Sequence, residues 1–122
     1  MVILAVSYDP GSLNKRIEAL QRLGHVVVPS SSLETCRKAI QDSRYHLLLI
    51  GATVTGIDRT ILANLSKATH PESKIVSVER GSELTIPIAD LHVSAGDERA
   101  LVLAICSMVS GESESDVEER RR

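Results

Sequence analysis

Short apolar runs and longer stretches of helical period alternate from the first residue onward. Val2 to Val6 is continuously apolar, as is Leu47 to Ile50, and each is too short for a core helix. Runs of that length read as strands buried on both faces, the habit of parallel sheets. Between them, Leu13, Ile17, Leu20 and Leu23 recur at helical spacing, with Asp9-Pro10 as a start signal and Gly24 as a stop. His25 to Val28 is a second, β-branched strand. Ser31 and Glu34 have capping-box spacing ahead of a stripe of Leu33, Cys36 and Ile40 that ends near Asp42-Ser43. Past the central strand, Ile57, Ile61, Leu65 and Ala68 predict a third helix closed by His70-Pro71. Lys74 to Val78 is a fourth strand and Leu91-His92-Val93 a weak fifth.

From Glu79 to Ala89 the pattern thins, and Gly81 and Pro87 leave no room for a full helix. Ser94 and Asp97 open a last helix whose apolar residues, Leu101, Val102, Leu103, Ile105, Met108 and Val109, cover more than one side. Such a helix is either deeply packed or offers one face to a partner. The alternation predicts an α/β fold: a doubly wound, flavodoxin-like parallel sheet of five strands in the order 2-1-3-4-5, with its fourth helix short or missing. Residues 1–110 form this domain, and residues 111–122 are a charged tail expected to lack a packed core.

Composition narrows the function. With no Trp or Phe and only Tyr8 and Tyr45 as aromatic rings, stacking on single-stranded nucleic acid is disfavoured. The tail from Gly111 carries five acids and three bases against a whole-chain charge of −2, so the body is neutral. No attraction to nucleic acid or to a membrane surface is expected. Cys36 and Cys106 lack metal-ligand spacing and are expected as buried thiols in a reducing cytoplasm. No apolar stretch is long enough for a membrane span.

The order of motifs resembles the receiver domain of response regulators, the CheY-like domains of bacterial two-component signalling. The residues that carry the resemblance are Ile3-Leu4-Ala5-Val6 with Asp9-Pro10, Leu23-Gly24-His25-Val26-Val27, and Tyr45 to Ile50 with Gly56-Ile57-Asp58. It spans about residues 2 to 110. A working receiver phosphorylates an aspartate ending strand three, assisted by magnesium on an acidic pair ending strand one. A hydroxyl ending strand four and a lysine ending strand five complete its site. The resemblance places the aspartate at Gly51 and the acidic pair at Ser7 and Tyr8. It places the hydroxyl near Ser77 or at Glu79, and the lysine near Ser94-Ala95, where there is none.

Gly51 has no nucleophile, and a serine hydroxyl with a tyrosine phenol does not supply the charge that magnesium requires. Ser7, Tyr8, Asp9, Gly51, Thr53 and Glu79 are therefore read as a degenerate phosphorylation pocket without metal or cofactor. The phenol of Tyr8 either plugs that pocket or lies over it. Asp9 and Asp58 are expected to cap or turn, Thr53 and Thr55 to be loop hydroxyls, and His92 to be hydrogen-bonded locally. With no nucleophile–base pair in view, the chain is not expected to be an enzyme.

The expected role is protein contact in signalling. The partner would be a kinase, an output domain or a second copy, meeting the last helix at Leu101, Val102, Ile105, Met108 and Val109. A small-ligand or nucleotide site near Ser7, Gly11, Gly51 and Thr53 is the alternative, with room left by small residues and helix amides facing an anion.

Overall fold

A computed structural model describes residues 1–79, 88–96 and 99–108. The elements are β1 (Val2–Val6), α1 (Pro10–Arg22), β2 (Val26–Ser30), α2 (Leu33–Asp42), β3 (Leu47–Ile50), α3 (Gly56–Thr69), β4 (Lys74–Glu79) and β5 (Leu91–Ser94). A final helix follows, described over residues 99–108. All strand pairs are parallel, and the order across the sheet is β2-β1-β3-β4-β5. The short fourth helix and the charged tail, expected within 79–89 and 111–122, fall largely or wholly outside the described residues.

The two core clusters show why the central runs are apolar at every position. In β1, Leu4 and Val6 face α2 and α3, while Ile3 and Ala5 face α1 and the last helix. The same alternation divides Leu48 and Ile50 from Leu47 and Leu49 in β3. With helices on both sides, period-two side chains find a dry surface whichever way they point. Each fully buried aliphatic side chain contributes about 1.5–3 kcal/mol.

Local signals set most of the boundaries. The Asp9 side chain accepts from the Gly11 amide and Pro10 opens α1. Gly24, at φ 89°, turns the chain after it. The start of α2 lies one residue later than the capping-box spacing suggests: Ser32, not Ser31, accepts from the Thr35 amide.

Two apolar stripes differ from their expected faces. In α3 the buried positions are Arg59, Leu62, Ala63 and Ser66, whereas Ile57 and Ile61 are exposed. The helix is rotated so that a guanidinium enters the protein and two isoleucines leave it. In the last helix, Leu101 and Ile105 are buried in the core, and Met108 packs against the same cluster. Leu101 and Ile105 are therefore not offered on a partner surface, because helical spacing lays them against the sheet, and Met108 is half-buried. Val102 is half-buried, Leu103 is the exposed one, and Val109 lies outside the described residues.

Candidate functional site

The sheet order reverses direction between β1 and β3, and their carboxyl ends open a crevice there, the usual ligand position in doubly wound folds. Val6 and Ile50 are paired across it, so Ser7 and Gly51 lie side by side at its floor. The Gly51 amide donates to the Val6 carbonyl at 2.8 Å. A Cβ at Gly51 would stand 3.0 Å from that carbonyl oxygen and 3.1 Å from Nη1 of Arg16. A guanidinium from α1 thus already stands where a side chain at position 51 would begin.

A second arginine closes the floor from the other side. Arg59 Nη1 donates to Ser77 Oγ at 2.6 Å and to the Val78 carbonyl at 2.7 Å. Its Nη2 donates to the carbonyls of Gly51 and Val54 at 3.0 and 3.2 Å. The planar fork of donors thus fastens the β3–α3 turn to the end of β4. Both arginines are only 6% exposed. Neither was singled out in the sequence, yet a signal exists. Arg16 falls in the frame of Leu13 and Leu20, and Arg59 in that of Leu62, Ala63 and Ser66, so each continues a buried stripe with a charge.

The crevice mouth is stitched by hydroxyls. Thr53 Oγ1 accepts from the Tyr8 amide at 2.8 Å and lies 3.2 Å from Ser7 Oγ. The Tyr8 phenol donates to Asp58 Oδ2 at 2.7 Å. It therefore lies across the rim and ties the β1–α1 loop to α3. Burial and the Asp58 carboxylate both push its pKa above the ordinary tyrosine value, because each disfavours a phenolate there. Asp9 stays at the start of α1, where Ser12 also donates to it at 2.7 Å. Thr55 caps α3 by accepting from the Asp58 amide at 3.4 Å. The structure so gathers Ser7, Tyr8, Gly51 and Thr53, adds Asp58, and leaves Asp9 to the helix.

Glu79 joins the Arg59 network through Ser77. It accepts from Ser77 Oγ at 3.2 Å and meets His92 Nδ1 at 2.7 Å, joining β4 to β5. Serine and histidine share one carboxylate oxygen, so the imidazole is not in position to take the serine proton. Among the described residues no cluster of three or more His, Cys, Asp or Glu is placed to hold a metal. No helix among them is long and apolar enough to cross a membrane.

Comparison with solved structures then bears on this arrangement. A CheY-like receiver domain from Methanospirillum hungatei superposes with a TM-score of 0.79 at 17% identity, over 93% of this chain and 97% of its own. The response regulator TrrA of Thermotoga maritima, solved with magnesium and a beryllium fluoride, superposes at 0.71 and 20% identity, over 84% and 95%. The fold is that of response-regulator receiver domains. The same fold occurs inside a longer chain in NtrX of Brucella abortus, solved with ADP, at 0.75 and 18% identity, where 98% of this chain covers 29% of the other. No family model and no curated protein matches the sequence. Within the receiver fold, this chain keeps the crevice and fills its floor with arginine.

Proposed function

We propose that this chain is a receiver-like module of two-component signalling that does not take a phosphoryl group by the aspartyl route and acts through contact with another protein. The observation that carries the reading is Gly51 at the end of β3, with Arg16 Nη1 3.1 Å from where a Cβ would be. Acyl-phosphate chemistry needs a carboxylate nucleophile, and magnesium needs hard anionic oxygens beside it. The crevice floor presents guanidinium, hydroxyl and carbonyl groups instead. Asp58, the carboxylate at the rim, accepts the Tyr8 phenol.

Incubation with acetyl phosphate and magnesium, followed by intact mass measurement, tests the first half. The expected result is no added phosphoryl group; a hydroxylamine-sensitive phosphoryl adduct would overturn the reading. The partner is a kinase, an output domain or a second copy. On the last helix, Leu103 at 59% exposed is the apolar side chain free to meet it. Sedimentation of the chain alone and of Leu103→Glu reads self-association: a dimer lost in the variant supports a second copy, and a monomer throughout assigns the contact to a different protein.

A further inference from the structure

The opposite end of the sheet carries a second concavity, unrelated to the crevice. It is a groove of about 650 Å³ lined by Val2, by residues 44–46 leading into β3, and by residues 69–73 between α3 and β4. That volume lies in the range of small-ligand sites. Two of its lining residues are anchored in the protein interior. Tyr45 and Ser73 are buried, and Tyr45 Oη lies 2.6 Å from Ser66 Oγ, which is 3.3 Å from Ser73 Oγ. The Tyr45 and His70 rings meet edge to face at 4.8 Å.

The hydrogen bonds fix where the protons are. His46 Nδ1 accepts from the Val2 amide at 2.9 Å, so its neutral ring carries the proton on Nε2. His70 Nε2 lies 2.8 Å from the Ile40 carbonyl, which only accepts, so Nε2 carries a proton. The two walls consequently differ in kind. Residues 44–46 bring the Arg44 guanidinium and an imidazole N–H, both donors. Residues 69–73 bring the Glu72 carboxylate, an acceptor. Among the described residues neither Arg44 nor Glu72 has an ion-pair partner. Val2, Tyr45 and Pro71 supply apolar surface between them.

We propose that this groove binds a small zwitterion, a free amino acid with an apolar side chain. Its carboxylate lies against Arg44 and His46, and its ammonium against Glu72. A ligand with one charge meets only one wall, whereas a zwitterion gains a charge-assisted contact on both.

The test is a titration of the whole chain with L-leucine, N-acetyl-L-leucine and L-leucinamide, read from the His46 and His70 ring resonances. L-leucine is expected to give a saturable shift, and each blocked derivative to bind about tenfold more weakly, the scale of one lost charge-assisted hydrogen bond. Arg44→Ala and Glu72→Gln, both at exposed positions, are expected to weaken L-leucine to a similar degree while the unfolding midpoint holds. No saturation, an equal response to all three compounds, or unchanged binding in both variants would each overturn the proposal. A response confined to Tyr8 in the crevice would overturn it as well. None of these outcomes depends on whether the chain takes a phosphoryl group.

Discussion

The two ends of one sheet contrast in how their polar groups are used. At the carboxyl end, where doubly wound folds place their chemistry, polar side chains are turned on one another. Arg59 holds three carbonyls and a serine, Thr53 holds the Tyr8 amide, and the Tyr8 phenol holds Asp58. At the amino end, Arg44 and Glu72 are exposed and line a groove. Groups that already satisfy each other, as Arg59, Thr53, Tyr8 and Asp58 do, resist a ligand, because the ligand must displace those bonds first. The fold type alone would point to the crevice; the hydrogen bonds point away from it.

The contrast breaks most readily at Arg59. Arg59→Met removes four donated bonds from a buried site, so unfolding in urea is expected to show a loss of about 3 kcal/mol or more. A loss below about 1 kcal/mol would mean that the staple is not what closes this end. Gly51→Ala comes next. Its Cβ would press on a backbone oxygen at 3.0 Å, and about 1–3 kcal/mol of destabilisation is expected. A neutral result would show that the floor has slack. Gly51→Asp brings a carboxylate to the same place, and the same acetyl phosphate assay is expected to stay negative because the acidic pair is still absent.

Tyr8→Phe tests the rim and should cost about 1 kcal/mol by losing the bond to Asp58. Alkaline titration sharpens this point. Both tyrosines are held above the ordinary value of 10.0, each mainly by burial. With no Trp in the chain, little tyrosinate absorbance is expected at that pH until the protein unfolds. The sign follows from linkage: a pKa raised by folding contributes stability below pH 10, lost as pH rises through the folded value. Tyr8→Phe should therefore flatten the alkaline side of the stability profile. Thiol labelling gives a parallel reading of burial. The Cys36 thiol is pushed up to about 12 by burial, so it is expected to stay unreactive in the native protein. The smallest effect is expected at Ile57, 77% exposed; Ile57→Gln should change stability by less than about 0.5 kcal/mol. A large loss there would return the apolar stripe of α3 to the face that its spacing first suggests.

That stripe shows where reading the chain stops. Ile57, Ile61 and Leu65 have helical period, and so do Arg59, Leu62, Ala63 and Ser66. Periodicity identifies the helix but does not choose between two faces when the buried one contains an arginine. Only the carbonyls at the ends of β3 and β4 make that arginine a core residue. The last helix poses the reverse problem. Leu101, Val102, Leu103 and Ile105 look apolar all round, and the sheet takes Leu101 and Ile105 while leaving Leu103 outside.

By itself the order of residues determined the strand count, the 2-1-3-4-5 sheet and the absence of a side chain at position 51. These depend on local period, caps and the identity of single side chains, which are written in the chain. What occupies the crevice depended on tertiary structure, because Arg16 and Arg59 reach it from helices on opposite faces of the sheet. The groove at the other end is likewise a product of packing. Residues 44–46 and 69–73 are far apart in the chain, and only adjacent parallel strands bring their donors and acceptors face to face.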